Sequence, residues 1–146
     1  MTSAAAVSNT ELAERLRLAV ARTARRLRQE AGGGLSPSLS AALASIDRHG
    51  PLTPSELAAR ERIQRPTATR IVDRLVAEGL VARTPDPEDR RRLQLAVTPA
   101  GRATLRAARR RKTALLARGL DGLGSEDRAT LERAAALLEG LLEEPR

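Results

Sequence analysis

The segment between Thr53 and Gly79 carries the strongest local structural signals in the chain. Residues 53–56 have the spacing of a capping box, in which Thr53 accepts from the backbone N–H of Glu56 and the Glu56 carboxylate reaches back to residue 53. The helix that begins here is short and ends near Arg60. A longer helix follows, with Pro66 in its first turn and Gly79 suited to a left-handed C-terminal cap. This order is the pattern of a helix-turn-helix.

A β-hairpin with a projecting loop follows this motif. Residues 80–84 read as one strand, and Leu93, Leu95 and Val97 alternate as a second strand requires. Two prolines within residues 85–92 prevent a continuous strand, which predicts a loop tipped with charge.

Apolar residues at helical spacing predict two helices before the helix-turn-helix and two after the hairpin. The first runs from Asn9 to Ala31 and stops at the glycines 32–34. Ser36, Thr98 and Ser125 are predicted to cap the other three helices. The inward positions are Leu12, Leu16, Val20, Ala24 and Leu27 in the first helix and Leu131, Ala135, Leu138 and Leu142 in the last.

The predicted fold is mainly α with a small β-wing, and it forms one compact domain overall. A winged helix-turn-helix at residues 35–101 is flanked by an N-terminal dimerisation helix at residues 1–34 and by C-terminal dimerisation helices at residues 102–146. The chain has no Phe, Trp or Tyr, so its core is aliphatic and small. Small cores often need a second subunit to bury enough surface. We therefore expect the outer helices to pack against a second copy.

The charge balance indicates an anionic partner. The net charge is +8, the pI is near 11.5, and Lys112 is the only lysine, so arginine supplies almost all of the positive charge. Arginine suits bidentate contacts to phosphate and guanine. Single-strand binding and interfacial membrane anchoring usually use aromatic side chains, which are absent here. Double-stranded DNA is the partner that this composition favours.

Composition also argues against several other classes of protein. No cysteine and one histidine leave few candidates for a nucleophile, a base or a set of metal ligands, so we expect no enzyme activity, no cofactor and no metal site. No apolar run approaches the length of a membrane span, and residues 1–9 lack the pattern of a signal peptide. We expect a cytoplasmic protein.

Two segments carry a family resemblance. The wing has Asp86, Asp89, Arg90, Arg91, Leu95, Thr98 and Gly101 at a spacing that resembles the signature of the MarR family of bacterial regulators. Residues 66–75 and 78–81 resemble that family's recognition helix and its exit. The resemblance implies a homodimeric transcription regulator, typically a repressor, that binds a pseudo-palindromic operator. It also implies that a small ligand or a chemical signal can shift the affinity for DNA. Without cysteine the thiol-oxidising branch is excluded, and without aromatic residues an aromatic-lined effector pocket cannot form.

The second helix of the helix-turn-helix is expected to enter the major groove. Arg70 shares a face with Thr67 and is positioned to approach guanine, whereas Arg74 lies one turn further on and is expected to meet phosphate. These side chains could instead be solvated residues opposite the apolar face of the helix. The predicted contact residues here are Gln64, Arg65, Pro66, Thr67, Thr69, Arg70 and Arg74.

The wing is expected to enter the minor groove with one arginine. By its place in the family pattern this is Arg91, with Asp89 pairing with it and fixing its direction while Arg90 points to the DNA backbone. The alternative is a charged hairpin tip that only keeps a strand edge soluble. Two other functions stay open: a winged-helix DNA-binding protein without an inducer, and a protein-interaction module, which would show no salt-dependent affinity for duplex DNA.

Overall fold

The structure, a computed structural model, describes residues 7–30 and 33–142. The elements are α1 (Asn9–Glu30), α2 (Pro37–His49), α3 (Pro54–Glu61), α4 (Arg65–Ala77), β1 (Val81–Pro85), β2 (Leu93–Val97), α5 (Pro99–Leu120) and α6 (Ser125–Leu142). This is the predicted mainly α fold with a two-stranded wing. The predicted helix end at Ala31, the glycine stop at Gly32 and the side chain of Leu142 lie outside what the structure describes.

The local signals around the helix-turn-helix form the predicted structures. The Glu56 N–H donates to Thr53 Oγ1 at 3.2 Å, and the Thr53 N–H donates to a Glu56 carboxylate oxygen at 2.7 Å, which completes the capping box. Ser36 caps α2 by accepting from the backbone of Leu39. Gly79 adopts a φ of +73°, as a left-handed exit from α4 requires.

The core lies between α2, α3, α4 and the wing sheet. Leu52, immediately before α3, pairs with Leu95 of β2 through backbone hydrogen bonds of 3.2 and 2.7 Å, so one residue joins the sheet from a third segment. The sequence pattern did not predict this pairing, because a single bridging residue has no alternation to detect. The largest fully buried side chains are Leu43, Ile46, Leu57, Val72, Leu75 and Leu95.

The wing is an antiparallel hairpin whose base is attached to α5. Val81 pairs with Val97 at the base and Pro85 with Leu93 at the far end. Pro85 therefore ends β1, whereas the prediction assigned it to the loop; a proline is tolerated at the end of a short two-stranded ladder. The wing loop is thus residues 86–92. At the base, Thr98 accepts from the Gly101 N–H at 3.0 Å, which caps the start of α5 as predicted.

The chain divides into two compact units, Met1–Lys112 and Thr113–Arg146. The second holds the end of α5 and all of α6. Ser125 is the first residue of α6, and the Gly124 carbonyl accepts from the Arg128 N–H, so Ser125 does not occupy the capping position that was predicted for it. None of the helices within residues 7–30 and 33–142 has the length and apolar character to cross a membrane.

Candidate nucleic-acid interface

Helix α4 has one buried face and one exposed polar face. Ala68, Val72 and Leu75 are buried against the core. At about 100° per residue, Arg70 lies roughly 140–160° around the helix from each of them, so it points away from the core. Its exposed neighbours on the outward side include Pro66 and Arg74. The fold therefore holds Arg70 at the centre of the solvent-facing side of α4.

The turn into α4 leaves the polar groups at its start available. Gln64 is the N-cap residue, but its side chain makes no capping hydrogen bond, and both Gln64 and Arg65 are exposed. Thr67 is half-buried at one edge of the outward face. Thr69 is exposed and its hydroxyl donates to the Arg65 carbonyl at 3.0 Å. The Thr69 oxygen is thereby left as an acceptor, which suits the amino group of adenine or cytosine.

Arg74 already has an intrahelical partner. Its Nε lies 2.5 Å from a Glu78 carboxylate oxygen, one turn further along α4. The remaining guanidinium nitrogens stay exposed, since the side chain is 68% accessible. Through these nitrogens Arg74 can meet a phosphate while its Nε remains paired with Glu78.

The wing loop is built by two aspartates that accept from the backbone. Asp86 Oδ1 accepts from the Glu88 N–H at 2.9 Å, and Asp89 Oδ1 accepts from the Arg91 N–H at 3.0 Å. The Asp89 carbonyl also accepts from the Arg92 N–H at 2.9 Å. The expectation that Asp89 pairs with the Arg91 side chain was therefore wrong. In an Asx-type turn the carboxylate is turned back onto the amide two residues ahead, so it orients the Arg91 backbone.

All three arginines of the wing loop, Arg90, Arg91 and Arg92, are exposed. The positive charge of Arg92 is a minor cause of the lowered pKa of Glu56, near the start of α3. The larger causes of that lowered pKa are the hydrogen bonds from the Thr53 N–H and hydroxyl. Arg90 and Arg91 are the other two exposed cations of the loop.

Sequence reasoning missed two contacts that hold the wing. Arg83 of β1 forms an ion pair with Asp73 of α4. Gln94 of β2 donates to the second carboxylate oxygen of Asp86 at 3.1 Å, which ties the loop to the strand behind it. Neither pair has a short-range signature, since the partners lie ten and eight residues apart.

These features together define a winged helix-turn-helix protein that presents an exposed polar helix face and an arginine-tipped wing. Across the described ranges 7–30 and 33–142, no group of three or more His, Asp or Glu side chains could hold a metal ion.

Comparison with known proteins identifies the family. Residues 35–93 match the MarR family. An uncharacterised HTH-type transcriptional regulator of Mycobacterium leprae is 38% identical over 138 residues, which are 94% of this chain and 96% of that protein. The HTH-type transcriptional repressor MdtR of Bacillus subtilis is 34% identical over 94 residues, 64% of this chain and 61% of the relative. A crystal structure described as a transcriptional regulator of Pseudomonas aeruginosa superposes with a TM-score of 0.81 at 34% identity, over 95% of this chain and 100% of that one.

The chain belongs to the MarR family, and it is a DNA-binding transcriptional regulator and not an enzyme. The family resemblance predicted from the wing and the recognition helix is confirmed. Helix α4, which contains residues 66–75, is called the recognition helix.

Proposed function

We propose that this protein is a homodimeric repressor that binds a pseudo-palindromic operator in the bacterial cytoplasm, where the chromosomal DNA lies. The proposal rests on the outward position of Arg70 on the recognition helix. The same chain has a wing whose loop bears exposed arginines. The repressor role is supported by MdtR, a relative that is named a repressor.

The recognition helix reads the major groove. Arg70 donates to guanine O6 and N7, and Thr69 accepts from a base amino group. Thr67 lines the edge of the same surface, and Arg74 meets a phosphate beside its partner Glu78. The residues at the start of the helix that complete this surface are Gln64, Arg65 and Pro66.

The wing supplies the minor-groove contact. Arg91 enters the groove, where the negative potential is strongest, and Arg90 follows the phosphate backbone. Asp89 holds the loop that carries both arginines, through its hydrogen bond to the Arg91 N–H. A carboxylate used in this way stays turned toward the protein backbone, which limits its repulsion of DNA.

The outer helices join the two subunits. Helix α1 contains no buried residue, and its aliphatic side chains Leu12 and Val20 are 47% and 52% exposed. In α6, Leu137 and Leu141 are 63% and 76% exposed. Helices with this much uncovered aliphatic surface are covered in a two-fold dimer, in which the same faces meet from both copies. The predicted dimerisation segments 1–34 and 102–146 contain both helices.

A small effector would have a compact site within the first unit. A cavity of about 250 Å³ lies between small and aliphatic residues and two cations. This volume is below the range of drug-sized pockets, so it suits a small molecule, and the cations favour an anion. The lining is Arg28, Leu35, Pro37, Ser40, Ala41, Ala44, Ala108 and Lys112. Release of the protein from its operator by small organic anions, and loss of that release in Lys112→Ala, tests this part.

The decisive experiment is a hydroxyl-radical footprint on the DNA upstream of the gene for this protein. Protection of an inverted repeat, with half-sites about one helical turn apart on one face, supports a dimer on a pseudo-palindrome. Protection of a single half-site overturns the dimer. A protein-interaction module instead predicts no salt-dependent affinity for duplex DNA. Light scattering of the free protein measures the number of subunits independently of DNA.

A further inference from the structure

The ion pair between Asp73 and Arg83 joins the recognition helix to the wing. Asp73 lies three residues beyond Arg70 on α4, and Arg83 is the third residue of β1. The two side chains remain 57% and 34% accessible to solvent. Ion pairs with this much solvent contact contribute little to the free energy of unfolding. An effect of this pair is therefore expected in the geometry of the DNA-binding surface and not in stability.

The pair lies at the point where the wing leaves the core. Val81 and Leu95 are buried, with 2% and 0% of their surface exposed, whereas the residues beyond Arg83 on β1 are exposed. Within the described part of the chain, no other ion pair or side-chain hydrogen bond joins α4 to the two strands. At the same level, Leu95 of β2 is paired with Leu52 by backbone hydrogen bonds. Beyond this level the wing is held by its own strand ladder and by the turns of its loop.

A small rotation at this level produces a large displacement at the tip. Two residues of strand extend about 7 Å from Arg83 to the end of β1. A tilt of about 4° at Arg83 moves that end by roughly 0.5 Å, which is the tolerance of a preorganised binding site. Arg91 lies further out on the loop and is displaced more. The angle between wing and helix therefore decides whether both grooves are reached at once.

We propose that Asp73 and Arg83 are positioning residues for DNA binding, which fix the angle of the wing so that Arg70 and Arg91 reach their grooves together. The proposal rests on the two groove contacts proposed above. It also accounts for a carboxylate on the outward side of a DNA-binding helix. Such a group repels phosphate, and the Arg83 guanidinium neutralises it.

Two charge-matched variants separate positioning from simple electrostatics. Asp73→Asn removes one negative charge from α4, and Glu78→Gln removes one from its C-terminal cap, where it also releases Arg74 from its ion pair. If charge alone matters, both bind DNA at least as tightly as the wild type. If the ion pair positions the wing, Glu78→Gln still binds DNA at least as tightly as the wild type. Asp73→Asn then loses about tenfold in operator affinity, while its affinity for random DNA is unchanged or higher.

A double-variant cycle tests whether Asp73 and Arg83 act as a pair. Arg83→Gln alone is expected to weaken operator binding. Adding Asp73→Asn is expected to cause little further loss, because the effects of substituting two coupled residues do not add. Losses that multiply in the double variant would overturn the pairing. Denaturation curves of all variants are expected to stay close to wild type, since the pair is solvated.

A spin label on the wing gives a readout that does not depend on DNA. The sequence has no cysteine, so Glu88→Cys introduces one exposed labelling site in the wing loop. The nitroxide spectrum of the free protein is expected to show greater mobility in the Asp73→Asn background and no change in the Glu78→Gln background. Equal spectra in the two backgrounds would refute the positioning role.

The outcomes distinguish this inference from the proposed function. If Arg91→Ala binds the operator as the wild type does, the minor-groove contact fails, and the spin-label comparison still tests the ion pair. If Arg91→Ala is impaired but Asp73→Asn binds as Glu78→Gln does, the groove contact stands and the positioning role is wrong.

Discussion

Gly101 lies in the first turn of α5 against the base of the wing, where the structure leaves no room for a side chain. A Cβ at residue 101 would come within 2.2 Å of the Leu80 carbonyl oxygen and 2.7 Å of Val97 Cγ1. The same Leu80 oxygen accepts from the Thr98 N–H at 3.0 Å, so it cannot retreat without weakening that bond. We therefore expect Gly101→Ala to destabilise the folded protein.

The magnitude follows from these contacts. Relief of the clash needs a shift of roughly 1 Å, and overpacking of this kind costs about 1–3 kcal/mol. Weakening the hydrogen bond from the Thr98 N–H costs up to about 1 kcal/mol more. The higher helix propensity of alanine stabilises the folded state by a similar amount, so these two contributions cancel. The expected loss is about 1–3 kcal/mol in the free energy of unfolding, or roughly 3–9 °C in Tm for a chain of this length.

Gly119→Ala is the matched control. Gly119 lies in the same helix, and a Cβ there would have no heavy atom of its own subunit within 4 Å. This variant is expected to leave Tm unchanged or to raise it by a few degrees, because alanine favours the helix by up to about 1 kcal/mol. Both variants should be measured by circular dichroism during heating and in urea, at one protein concentration because a dimer's stability depends on it. A Tm for Gly101→Ala equal to that of Gly119→Ala would refute the packing argument.

Three further predictions concern the DNA contacts and the capping box. Arg91→Ala is expected to lower operator affinity and to reduce the slope of log K against log salt by about 1, with unchanged Tm, as a salt titration of binding can show. Arg70→Ala is expected to lose about 1–3 kcal/mol of discrimination between operator and random DNA, and equal weakening on both would instead make it a phosphate contact. Because hydrogen bonds from Thr53 lower the folded-state pKa of Glu56 below 4.5, its contribution to stability is present above pH 4.5 and is lost as the pH falls through the folded value. Acid titration of urea midpoints should therefore show a smaller loss in Glu56→Gln than in the wild type.

The sequence by itself determined the elements whose causes are local. The capping box joins residues three positions apart, and Gly79 stops α4 through its own backbone freedom, so neither depends on distant parts of the chain. The inward positions Val72 and Leu75 of the recognition helix followed from helical periodicity in the same way. These signals were sufficient for the helix-turn-helix, the wing and the family.

Tertiary structure decided how the wing is held and aimed. The sequence predicted an Asp89–Arg91 side-chain pair, but the folded loop uses that carboxylate on a backbone N–H. Asp73 and Arg83 carry no spacing signal, since only the packing of β1 beside α4 brings residues ten positions apart together. Local rules fix which elements form, because their hydrogen bonds close within a few residues. The direction of an exposed side chain depends on neighbours that the chain supplies only after it has folded.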